Sequence, residues 1–134
     1  MKETFADTFY YLAVLHADDA AHERAMEQSG RLTGATVTTA WVLSELADGL
    51  AAPATRGGFV RLLASLRSDP KCIIIPPSED LLERGVDLYR KRSDKAWTLT
   101  DCISFVVMSE RGIREALTAD HHSEQAGFTA LLRG

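Results

Sequence analysis

The feature that most restricts the fold is the run Cys72, Ile73, Ile74, Ile75, apolar throughout and stopped by Pro76 and Pro77. A strand with one wet face alternates apolar and polar residues, whereas an unbroken apolar run reads as a buried strand covered by helices on both faces, the habit of parallel sheets. Parallel strands need crossover helices between them, and the rest of the chain supplies candidates. From Thr8 to about His16 the residues Phe9, Leu12, Ala13 and Leu15 return at helical spacing, and a second helix is expected over Ala20–Gln28, broken by Gly30 and Gly34. The β-branched stretch Ala35–Thr39 predicts a short strand, feeding a helix that carries Val42, Leu43, Leu46 and Leu50 on one face. After Pro53 and the Gly57-Gly58 pair comes a helix with Phe59, Leu62, Leu63 and Leu66. Ser78 with Asp80 opens another through Leu81, Leu82, Val86 and Tyr89, closed by Arg90, Lys91 and Arg92, whose charges suit a helix C-terminus. A further helix is expected from near Thr98 to about Arg111, with Gly112 as its stop. Glu115–Thr118 and Phe128–Leu131 are strand candidates, as is Lys2–Ala6, although Lys2, Glu3 and Thr4 make that first strand poor by propensity.

This order predicts an α/β fold of three layers, α/β/α, with a mostly parallel sheet of four to five strands flanked by helices. At 134 residues, 46% of them hydrophobic and 25% charged, the chain fits one compact domain spanning 1–134. No apolar run approaches the roughly 20 residues that cross a bilayer, and the N-terminus lacks the pattern of a signal peptide. A cytoplasmic location is therefore expected. The two cysteines, Cys72 and Cys102, lack the spacing of a zinc or redox motif and read as reduced core thiols. A formal net charge of -4 argues against a protein that holds nucleic acid by bulk neutralisation of phosphates. It leaves room for a local basic patch, for which Arg90, Lys91, Arg92 and Lys95 are the best candidate, a charged helix end being the alternative.

In parallel sheets the site lies at the carboxyl ends of the strands. Asp7 follows the first strand candidate, and Asp120 follows the one ending near Thr118; Glu45 and Asp101 lie on helices able to reach the same edge. Singly, each acid has a local explanation. Asp7 can cap the helix that begins at Thr8. Asp101, three residues after Thr98, completes a capping box with Asp in place of the usual Glu. Asp120 can form an Asx-turn. Glu45 can be a surface residue, but Val42, Leu43, Leu46 and Ala47 flank it closely, and a carboxylate beside an apolar face needs a partner such as a metal ion.

These residues resemble the PIN domain family, including its VapC-type toxins. The resemblance spans essentially the whole chain. It rests on Ala6-Asp7-Thr8, on Glu45 within Leu43-Ser44-Glu45-Leu46, on the segment Asp94 to Cys102 containing Asp101, and on Leu117-Thr118-Ala119-Asp120-His121-His122 followed by Ala126-Gly127-Phe128. It implies that Asp7, Glu45, Asp101 and Asp120 line a pocket binding Mg²⁺ or Mn²⁺, ions suited to hard oxygen ligands. It further implies a metal-dependent ribonuclease that hydrolyses RNA phosphodiesters with a metal-activated water. Asp7, Asp101 and Asp120 are the expected direct ligands, with Glu45 binding through water or orienting the attacking water. A small antitoxin partner and a homodimer follow from the toxin resemblance. The alternatives are a PIN-type nuclease or phosphatase acting on another phosphate ester, and a non-catalytic RNA-binding or interaction module. The module is disfavoured because four carboxylates at one strand edge repel one another without a cation.

Around this core, the hydroxyls of Thr8 and Thr118 stand beside the acids and can orient them, or serve in capping and strand roles. Asp94 reads as a solvated loop residue. His121 and His122 read as a solvated pair that the mechanism does not need, with contact to metal or substrate as the alternative. Trp97 reads as a packed residue before a helix start, with base stacking as the alternative.

Overall fold

The computed structural model describes residues 2–134. Five strands, β1 (Thr4–Ala6), β2 (Thr36–Thr39), β3 (Cys72–Ile75), β4 (Glu115–Leu117) and β5 (Thr129–Ala130), form one sheet in the order β3-β2-β1-β4-β5. Every pairing is parallel, with Phe5 opposite both Val37 and Ala116. Seven helices flank it in the expected three-layer arrangement: α1 (Thr8–Leu15), α2 (His22–Arg31), α3 (Ala40–Gly49), α4 (Pro53–Ser68), α5 (Glu79–Lys91), α6 (Leu99–Arg111) and α7 (His121–Gln125). None of the described helices is long and apolar enough to cross a membrane.

Burial reverses the expectation for β3, and β1 is central despite its poor propensity. The apolar run β3 is an edge strand and only half-buried along its length, because it pairs with β2 alone. The unpromising β1 is central and wholly buried, paired on both sides. Propensity is a weak prior beside such pairing. Phe5 and Ala6 sit in the main core with Val37, Val42, Leu46, Ile103, Met108 and Leu117. Lys2 and Glu3 stay outside the strand in ion pairs with Glu115 and Arg111.

Helix bounds differ from expectation at the glycines. Helix α4 begins at Pro53 and runs through Gly57 and Gly58, instead of starting after them. Pro53 occupies the first turn, where its missing N–H costs nothing, and Thr55 and Arg56 donate side-chain bonds to the carbonyls of Leu50 and Ala51 just upstream. Helix α2 likewise continues through Gly30 to Arg31. The capping box of α6 forms as expected between Thr98 and Asp101, and Gly112 ends that helix with φ of 70°. The short α7 has no counterpart in the sequence reading.

The strand order places the site. Running outward, β1, β2 and β3 build one half of the sheet, and the chain then returns to lay β4 on the other side of β1. The order reverses between β1 and β4, and a crevice opens beyond the carboxyl ends of strands at such a point. Asp7 directly follows β1, and Thr118 and Asp120 follow β4.

Candidate functional site

The elements deliver each acid by a local device. Asp7 caps α1, its Oδ1 accepting from the Thr8 amide at 2.8 Å. Its Oδ2 accepts from the Thr118 hydroxyl at 3.0 Å. The same Thr118 oxygen accepts from the Asp120 amide at 3.1 Å, so one buried hydroxyl at the end of β4 fixes Asp7 and the Asp120 backbone together. Asp120 caps α7 by taking the His122 amide on Oδ1 at 3.0 Å, the Asx geometry expected for it. Asp101, at the first turn of α6, uses Oδ2 for the Thr98 amide of the capping box.

Glu45 departs from expectation. It is exposed, since Val42, Leu43 and Leu46 turn inward and leave Ser44, Glu45 and Asp48 on the outer side of α3. Its partner is Thr8, whose hydroxyl donates to Oε1 at 2.6 Å. Both threonines singled out beside the acids therefore bond to carboxylates.

Asp7, Glu45, Asp101 and Asp120 all line one pocket of about 380 Å³, together with Thr8, Thr98 and His122. The electrostatics register this convergence at Asp7. Burial, helped by repulsion from Asp101 and Glu45, pushes its carboxyl up from 3.8 to about 6, against the bonds from Thr8 and Thr118 that favour the charged form. A cation in the pocket would remove that conflict, and oxygen donors of this kind suit Mg²⁺ or Mn²⁺.

His122 is the residue the sequence reading underrated. Its Nδ1 lies 2.9 Å from Asp101 Oδ2 and 3.5 Å from Asp120 Oδ2, and its side chain is only 18% exposed. An ionised carboxylate can only accept, so Nδ1 carries the proton. Asp120, His121 and His122 also bring one possible donor atom each within 4.8 Å of one another, although His121 stays exposed with its ring tilted against that of His122. His122 bonds Asp101, so if Asp101 ligates a metal ion, His122→Ala is expected to lower activity in Mn²⁺ by roughly 10- to 100-fold, the usual effect of removing a group that orients a ligand. A titration of activity against Mn²⁺ checks this; an unchanged half-saturation point and plateau would remove His122 from the site.

Other candidates lie apart. Asp94 is exposed and paired with Arg92, with Lys95 4.0 Å away. Trp97 is buried, edge-on to Phe105, and its indole N–H donates to Gln125, so the packing reading holds. Cys102 is a buried free thiol and Cys72 a half-buried one.

Residues 4–128 match the PIN domain. The chain belongs to the PIN domain family. Among solved structures, a PIN-like likeness runs to Mycobacterium tuberculosis VapC20, described as a toxin that cleaves the sarcin-ricin loop. The TM-score is 0.85 and the identity 25%, over 94% of this chain and 96% of that one. FitAcB from Neisseria gonorrhoeae shares the fold at TM-score 0.68 and 19% identity, covering 95% of this chain and 94% of that one. No curated protein matches the sequence.

Proposed function

We propose that this PIN domain is a Mg²⁺- or Mn²⁺-dependent endoribonuclease, the toxin of a toxin-antitoxin pair. The observation that carries the proposal is the meeting of Asp7, Glu45, Asp101 and Asp120 in one pocket beside the reversal of strand order. The likeness to VapC20, described as a sarcin-ricin loop cleaving toxin, supports RNA as the substrate class.

In this reading Asp7, Asp101 and Asp120 hold the ion, and Glu45 contacts it through water or orients the nucleophile. When bound, the ion lowers the pKa of a water molecule and neutralises charge on the phosphoryl oxygens. The chain's own part is orientation. Thr118 and the Thr8 amide hold both oxygens of Asp7, the capping box and His122 hold Asp101, and Thr8 holds Glu45. An antitoxin that covers the pocket, a homodimer and a cytoplasmic setting accompany this reading.

RNA cleavage in Mn²⁺ is expected to vanish in EDTA and to fall at least about 100-fold in Asp101→Asn, the scale of losing one group that stabilises developing charge. Cleavage that survives either change sinks the mechanism. The midpoint of thermal unfolding should also rise on adding Mn²⁺, because an ion that binds only the folded chain stabilises it. A module that keeps the fold without a metal site would show no such rise.

A further inference from the structure

A second cavity lies beside the carboxylate pocket. It lies between the end of α5 and the start of α6 and measures about 760 Å³, twice the volume of the acidic pocket. We propose that it binds the single-stranded RNA segment flanking the scissile phosphate, with Tyr89 stacking on a base and Lys95 and Arg90 meeting the backbone. The inference rests on the nuclease reading and adds to it a separate place for the substrate.

Several observations agree on this occupant. The volume falls within the range that small organic ligands fill, on the order of 300 to 1,000 Å³, so a nucleotide fits. Thr98 lines both this cavity and the carboxylate pocket, so a chain lying in one passes directly into the other. The cavity is cationic in an acidic protein: Arg90, Arg92 and Lys95 line it, and Asp94 is the one acid between Arg90 and Lys95 in sequence. Trp97 forms its floor, with the Arg92 guanidinium 5.0 Å from the ring centre. Tyr89 lines it as well and is 53% exposed, one of three large hydrophobic residues left so open among the described residues. An exposed aromatic beside cations is what a single strand recognises, since every base offers a face to stack on and every linkage a charge.

The acids nearby do not spoil the site. Arg90 pairs with Asp87 and Arg92 with Asp94, but exposed pairs of this kind hold weakly and can exchange a carboxylate for a phosphate. Lys95 stands 4.0 Å from Asp94 and is the least committed of the three. An acidic peptide would satisfy the same cations. Followed through Thr98, however, it would set carboxylate against the carboxylates of the neighbouring pocket. A phosphodiester chain there meets a pocket that a divalent ion has neutralised.

Trp97 reports on occupancy. The chain has two tryptophans, so Trp41→Phe leaves Trp97 as the single emitter. An eight-residue 2′-O-methyl oligoribonucleotide, titrated with Ca²⁺ present as a hard cation for the carboxylate pocket, is expected to change Trp97 emission saturably. In that background Tyr89→Ala should weaken binding roughly 5- to 100-fold, the range for losing one stacked base. Lys95→Ala should reduce the slope of log affinity against log salt by about 0.7, the value for one phosphate contact on a single strand. Tyr89 is exposed and Lys95 half-buried, and matched melting curves show that the variants fold. Equal affinity and salt slope in both variants overturns the proposal, as does an oligoglutamate peptide that saturates the signal where the RNA does not. Cleavage separates the two readings. If the native protein cleaves RNA in Mn²⁺ while Tyr89→Ala and Lys95→Ala keep its KM, the cavity proposal fails and the nuclease stands. If the oligonucleotide binds through these residues but no RNA is cut, the nuclease fails and the RNA site stands.

Discussion

Asp7→Asn is expected to stabilise the metal-free protein at neutral pH while abolishing RNA cleavage. The two effects have one cause. The Asp7 carboxyl titrates near 6 in the folded chain against an ordinary 3.8, chiefly because of burial and secondarily because Asp101 and Glu45 repel it. Its folded pKa is raised, so the penalty is absent below about pH 4, where both states are protonated. It grows as pH rises from about 4 to 6, since the unfolded chain gives up its proton first, and is complete above 6. The full shift corresponds to about 3 kcal/mol; discounted because the pocket opens to solvent, it is on the order of 2 kcal/mol. Asn imitates the protonated acid: it keeps the cap on Thr8 and a polar atom toward Thr118, and carries no charge. Melting in EDTA should therefore show near-equal midpoints for the two proteins at about pH 3.5, and the variant higher by several degrees at about pH 7.5. Adding Mn²⁺ at pH 7.5 should reverse the order, since only the native acid gains from the ion. A midpoint difference independent of pH would show that Asp7 carries no such strain.

The same residues explain what could be read from the sequence. Caps and turns were legible because they are local. Asp7 before Thr8, Thr98 with Asp101, and Asp120 before His122 each form the bonds their spacing implies. The strand ends that Asp7 and Asp120 follow are legible for a similar reason, from the order of elements alone. Burial was not. The apolar run of β3 lies at an edge and the polar-looking β1 at the centre, because position in the sheet depends on which strands the chain returns to, and that is settled between distant segments. Glu45 shows the limit on a smaller scale: its apolar neighbours in sequence are real, but the helix turns them inward and leaves it out. His122 carries little signal in the sequence for two reasons. Helix α7 has five residues, too few for a periodic signal, and the partner of His122, Asp101, lies 21 positions earlier. The glycines misled as well, because a breaker is tolerated inside a helix that tertiary packing supports.

One glycine has a packing reason for its place. Gly85 is buried midway along α5, where that helix meets α6, and a Cβ added there would stand 2.3 Å from Ile103 Cγ1 and 3.5 Å from Ile103 Cα. Ile103 is fully buried, so its side chain has little room to withdraw, and the backbone behind it belongs to the helix that presents Asp101. Gly85→Val is expected to lower stability by about 3 kcal/mol, the upper end for overpacking, with the few tenths returned by helix propensity too small to compensate. It should also depress cleavage beyond the loss of folded protein, because α5 must move away from α6, and the start of α6 serves both the carboxylate pocket and the cavity beside it. A double-mutant cycle with Ile103→Ala isolates the cause. That change alone removes buried methyl groups and costs about 2 to 5 kcal/mol, but it also makes space for the new side chain. The combined loss should therefore fall short of the sum by 1 kcal/mol or more. Strict additivity in urea unfolding would mean that Gly85 is there for some reason other than the close approach of α5 to α6.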